Sequence, residues 1–139
     1  MFEPKRTRVS SGHPYELIMG YSRAVRVEDQ VFVSGTAPIN ADGTCDPRPE
    51  VQLRRCFEIV EKALMEVGSS LKDIVRTRVY LIDPIDAAIV ERVHGELFSD
   101  IRPANTTVVV LSLLNPAFRF EVEVDAIVGM RDRERLGGR

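Results

Sequence analysis

Between Arg102 and Val128 the chain carries two strand patterns of different kinds. Thr106 to Leu113 is almost unbroken apolar and rich in β-branched Thr and Val, the pattern of a strand buried on both faces. Arg119 to Val128 alternates. Phe120, Val122, Val124, Ala126 and Val128 point one way; Arg119, Glu121, Glu123 and Asp125 point the other, with Ile127 ending that row. Asn115-Pro116 separates the two runs. Carboxylates spaced two residues apart on one strand face repel one another, and they need water, a cation or a polar ligand. Two readings of the row stand open. It is a solvated sheet face, or one carboxylate, Glu123, looks into a cleft.

A chain of 139 residues suits one domain, spanning 1–139. At this size roughly two thirds of the unfolded surface is buried on folding, enough for a real core. The net charge of −2 supplies no pull toward nucleic acid, and the basic run Lys5-Arg6-Thr7-Arg8 is short and terminal. No apolar run reaches membrane-span length, and the charged N-terminus lacks the apolar core of a signal peptide. Cys45 and Cys56 form no CxxC pair and read as free thiols in a reducing cytosol, which places the protein in the cytoplasm. His13 and His94 lack ligand-like spacing, so no structural metal is expected.

Taken in order, Lys5 to Val9 reads as a short edge strand with the termini (1–4 and 131–139) flexible. Tyr15 to Tyr21 has no clear period and reads as loop. Arg23–Val27 and Gln30–Ser34, joined at Glu28-Asp29, form a hairpin pattern. Gly35 to Pro49 is dense in turn residues, and Gly35 directly after a strand permits close backbone approach. Pro49 to Val67 shows helical apolar spacing through Leu53, Cys56, Phe57, Val60, Ala63 and Leu64, with Glu58 and Lys62 as an outer pair. Ser70 and Asp73 have the spacing of a reciprocally capped turn. Ile74 to Ile82 is a strand; Asp83-Pro84 opens a second helix as N-cap and first residue. The expected architecture is α+β, a mixed sheet with two helices on one face. Helices cover only one face, so a strand buried on both sides argues for an oligomer in which sheets pack against sheets.

From Pro14 to Val128 the chain resembles the RidA family, also called YjgF or endoribonuclease L-PSP. Tyr21-Ser22-Arg23-Ala24-Val25 is similar to that family's Tyr-Ser-x-Ala-Val segment, and Val31-Phe32-Val33-Ser34-Gly35 to its Val-Tyr-Val-Ser-Gly strand. Gly68 to Leu81 resembles its link from first helix to middle strand. Pro103-Ala104 followed by Val122-Glu123-Val124 matches the spacing of its C-terminal signature. The resemblance implies a chorismate-mutase-like fold and a homotrimer with a central barrel and a small-molecule cleft at each subunit interface. It also implies cofactor-free hydrolysis of reactive enamines and imines. It assigns Glu123 to the positioning of water as the catalytic residue. To substrate binding it assigns Tyr21, the backbone of Ser34 and Gly35, Asn105 and Thr107.

The sequence departs from the family pattern at that last site. Asn105 stands where the family has an arginine that holds the substrate carboxylate, and Thr107 where many members have Cys. An amide donates hydrogen bonds but carries no charge, so a bidentate carboxylate clamp is lost. Arg102 is the nearest cation in sequence. Met19-Gly20 replaces the usual Gly-Pro, and Glu91 an often-found Asn. Three functions follow for comparison: an imine or enamine hydrolase, a non-catalytic metabolite-binding or regulatory trimer, and a ribonuclease. The acidic balance and the absence of interleaved basic and aromatic segments argue against the last.

Overall fold

The computed structural model describes residues 3–130. Its strands are β1 (Arg6–Val9), β2 (Ala24–Val27), β3 (Gln30–Thr36), β4 (Ile74–Leu81), β5 (Ala104–Val109) and β6 (Phe120–Ile127), and its helices are α1 (Pro14–Met19), α2 (Pro49–Glu66) and α3 (Ala87–Phe98). The strands form one sheet in the order β1-β2-β3-β6-β4-β5. Every pairing is antiparallel except β4 with β5. A parallel pair needs a crossover, and α3 supplies it. The expectations of flexibility for Met1 and Phe2 and for 131–139 lie outside the described residues.

The two long helices lie on one face. Leu53, Cys56, Val60 and Leu64 of α2 are fully buried against Val31, Val79, Phe120, Val122 and Val124 of the sheet. The strict alternation of β6 is realised: its even positions are buried and its odd positions half-exposed. Cys56 is wholly enclosed, and burial pushes its thiol well above the usual range, so it packs as a small apolar group. Asp83 caps the turn before α3 by accepting from the Ile85 amide at 3.0 Å.

Four local expectations are corrected. Tyr15 to Tyr21 is not all loop, because Pro14–Met19 is a short helix. His13 caps it through Nδ1, Pro14 starts it and Gly20 ends it at φ 74°. Those caps were visible in sequence, but six residues are too few to show a period. Ser70 makes no cap; Ser69 Oγ instead donates to Asp73 Oδ2 at 2.8 Å. Glu58 pairs with Arg55 rather than Lys62. The run Thr106–Leu113 is not a strand buried on both faces in the single chain. The strand spans Ala104–Val109 at the sheet edge, and Val108, Val109 and Leu111 are 40%, 53% and 99% exposed. An apolar edge strand of this kind is a surface that pairs with or packs on another chain.

Candidate functional site

The face of the sheet away from α2 and α3 carries the acidic row, and the strand register decides what each carboxylate meets. Glu123 of β6 stands opposite Arg78 of β4, Glu121 opposite Tyr80, and Asp125 between Arg76 and Phe32. The Tyr80 hydroxyl donates to Glu123 Oε1. Arg78 Nη1 lies 3.8 Å from Glu123 Oε2 and 3.3 Å from Asp125 Oδ2. The bond to Glu123 raises the Tyr80 phenol above its ordinary pKa, because a phenolate beside a carboxylate would forfeit that bond and gain repulsion. Glu123 is thus held from two sides yet remains half-exposed. Arg119 leaves the row: its guanidinium bonds Asp86 at 2.7 and 2.8 Å, and Asp86 is buried.

Beside Glu123 the β3–β6 register slips. Val33 pairs with Val124 and Thr36 with Val122, so Ser34 and Gly35 together face the Glu123 position as a β-bulge. Gly35 leaves its Cα bare, and the Glu121 carboxylate fills that space, 3.2 Å from where a Cβ would stand. The bulge is tied to the start of β2. Ser34 Oγ donates to Ser22 O at 2.7 Å, the Ser34 amide to Arg23 O at 3.0 Å, and Arg23 Nη2 to Gly35 O at 2.5 Å. Tyr21 directly precedes these residues and is half-buried, its amide bonded to Glu16 O. Burial raises the Glu121 pKa; Arg23 pulls it down and Glu123 pushes it up further.

Asn105 and Thr107 belong to the other side. Asn105 Nδ2 donates to Thr77 Oγ1 at 3.0 Å, and Thr107 Oγ1 donates to Asn105 Oδ1 at 3.0 Å. Thr77 is fully buried on the helix-covered face, and its hydroxyl meets His94 Nε2 of α3 at 2.8 Å. Thr77 Oγ1 accepts from Asn105 and shares a second hydrogen bond with His94 Nε2. His94 also lies against Phe57 and Phe98, and this burial lowers its pKa.

A lowered histidine pKa means that the unfolded chain binds the extra proton first. Stability is therefore full above the unfolded value of 6.5 and falls as pH drops from 6.5 toward the folded value. Denaturant midpoints followed across this interval fall for the wild type. They flatten in His94→Gln, whose amide can still accept from Thr77; equal slopes would remove the linkage.

Within one chain, then, Ser34, Gly35 and Glu123 meet at the bulge on the face away from α2 and α3, Tyr21 precedes the residues that tie the bulge, and Asn105 and Thr107 lie two strands away with side chains toward α3. Arg102 does not approach Glu123. It closes the turn after α3 at φ 54°, its amide bonded to Phe98 O, and lines a shallow concavity with Lys72, Ile74 and Leu97. Arg23, Glu121, Tyr80 and Arg78 are neighbours that sequence reasoning did not assign to the site. Arg78 and Tyr80 share the parity that put them on one strand face; cross-strand register, absent from sequence, sets them against Glu123 and Glu121. Among the described residues no three His, Cys, Asp or Glu side chains gather closely enough to hold a metal ion. Among them, too, no helix is long and apolar enough to cross a membrane.

A single mixed sheet backed by two helices, with polar groups collected at a bulge on its open face, defines a small α+β protein of the YjgF type. The crystal structure of a Mycobacterium tuberculosis member of the YjgF/YER057c/UK114 family superposes with a TM-score of 0.82. It is 39% identical and covers 89% of this chain and 100% of its own. The sequence matches the Endoribonuclease L-PSP family over residues 13–128. The protein belongs to that family, the RidA/YjgF family. An uncharacterised Streptomyces coelicolor protein is 36% identical over 128 residues, 90% of this chain and 94% of the relative. The 3-aminoacrylate deaminase RutC of Acinetobacter baylyi is 31% identical over 121 residues, 86% of this chain and 94% of the relative.

Proposed function

We propose that the protein is a cofactor-independent hydrolase of small imines or enamines, working in a cleft that a second copy of the chain completes within a homotrimer. The observation that carries this reading is the placement of Glu123: a half-exposed carboxylate held by Tyr80 and Arg78 beside the Ser34–Gly35 bulge, on the sheet face away from α2 and α3. A carboxylate fixed by donors is a suitable base for water. Glu123 takes a proton as the water oxygen bonds to the imine carbon. The proton passes to the nitrogen to give a carbinolamine. Glu123 then takes the hydroxyl proton and delivers it to that amine nitrogen, the C–N bond breaks as the C=O bond forms, and ammonia leaves behind a carbonyl compound. An enamine enters the same route after tautomerising to its imine. The deaminase named among the relatives supports the reaction class.

The homotrimer rests on the uncovered face and on the apolar edge of β5, where Val108 and Val109 need a partner. A neighbouring copy would bring its own Asn105–Thr107 edge toward the Glu123 cleft. Sedimentation at three times the 15.6 kDa chain mass, lost in Val108→Asp, is the expected result. The two free thiols suit a reducing compartment such as the cytoplasm.

The test is turnover. Protein added to 2-aminoacrylate generated in situ should release keto acid faster than buffer alone; no acceleration rejects the hydrolase. A specific observation favours a second reading, a ligand-binding trimer without turnover. Both polar ends of the Asn105 amide are engaged by Thr77 and Thr107, so it is poorly placed to replace a charged substrate clamp. Saturable binding without turnover would select that reading.

A further inference from the structure

Arg23 and Glu121 are charged groups on the open face that no ion pair satisfies among the described residues. Arg23 spends Nη2 on the Gly35 carbonyl at 2.5 Å. Its Nε is buried and meets no hydrogen-bond acceptor. Nη1 makes no hydrogen bond either, yet is not buried, which leaves it as the donor an incoming molecule would meet. Burial opposes the Arg23 charge, and the fields of Glu16 and Glu121 partly restore it. Glu16 is already committed, since its Oε2 accepts from the amide and hydroxyl of Ser11. A guanidinium does not release its proton, so a desolvated one without an ion-pair partner calls for an oxyanion.

Glu121 has the complementary need. Its carboxylate lies over the bare Cα of Gly35 and makes no hydrogen bond among the described residues. Tyr80 and Arg78 bind Glu123 and Asp125 instead. A ligand that brings an oxyanion to Arg23 and an N–H or O–H donor to Glu121 satisfies both groups at once.

We infer that Arg23 is the anion-recognition group of this cleft, with Glu121 beside it accepting a ligand proton donor; the ligand class is a small carboxylate bearing an amino, imino or hydroxyl group on the adjacent carbon. The inference rests on the proposed cleft and names its substrate class. It also supplies the positive charge that Asn105 lacks, from a different strand and on the same face as Glu123.

The experiment separates binding from turnover. Pyruvate is the anionic probe and pyruvamide its uncharged counterpart, each titrated into the full chain by calorimetry and by amide chemical shifts. Arg23→Gln is expected to weaken pyruvate binding about tenfold to hundredfold and to leave pyruvamide binding unchanged. Arg23→Lys retains part of the affinity. Equal losses for both probes mean a structural role and overturn the inference, as does undiminished pyruvate binding in a folded Arg23→Gln. If Arg23→Gln does not fold, Glu121→Gln decides. Removing the negative charge beside Arg23 should tighten pyruvate severalfold, and unchanged or weaker binding overturns the proposal. Pyruvate binding that depends on Arg23 with no enamine turnover leaves this inference standing and rejects only the hydrolase. Enamine turnover without Arg23-dependent pyruvate binding does the reverse.

Discussion

Glu123→Gln is expected to lower kcat for enamine hydrolysis by about 10²- to 10⁴-fold, the usual contribution of a positioned general base. The substitution keeps the side-chain shape and one carbonyl oxygen, so the Tyr80 hydroxyl retains an acceptor. Arg78 retains Asp125 at 3.3 Å. Fold and ligand affinity should therefore survive, and KM should change little, because what is lost is proton transfer. Tyr80→Phe removes one of the two restraints on Glu123 without removing the base, so its effect on kcat should be smaller. Steady-state kinetics on the two variants, with thermal melts to verify folding, provide the check. Undiminished kcat in Glu123→Gln would strip Glu123 of its role and make Glu121 the remaining carboxylate at the bulge.

Phe98→Ala should produce the largest loss of stability, about 3–5 kcal/mol, as expected for a large aromatic truncated inside a packed core. Phe98 ends α3 and is 2% exposed. Its ring packs edge-on against Phe57 of α2 at 5.3 Å and lies 4.6 Å from His94. Alanine removes one of the contacts that join the two helices and leaves a void beside the imidazole. Water entering that void would relieve the burial that depresses the His94 pKa, so the variant should also lose part of its pH dependence. Chemical denaturation at two pH values measures both effects. A cost below about 1 kcal/mol would mean that the helices close over the gap.

The fold was legible because its signals are local and periodic. The alternation of β6 and the apolar stripe of α2 are patterns of period two and period 3.6 and appear where expected, whereas Asp83-Pro84 opens a short 3-10 turn and α3 itself begins at Ala87. The β5 run misled for a physical reason. Consecutive β-branched residues report that both faces avoid water, not which chain covers them, and among the described residues of the single chain Val108 is 40% and Leu111 99% exposed. The candidate site was legible in part. Glu123, Ser34 and Gly35 sit together as the motifs suggested, whereas Asn105 points across the sheet to Thr77 and His94.

Sequence alone determined the types of the longer elements, the buried faces of α2 and β6 and membership of a family, because these depend on residue spacing along one chain. Tertiary structure alone decided which charges meet. The β3 bulge lays Gly35 against Glu121, the β4–β6 register sets Tyr80 and Arg78 on Glu123, and the Arg23 guanidinium reaches the carbonyl of Gly35. A one-residue slip of register would turn each of these side chains to the opposite face, and no spacing within a single strand records that choice.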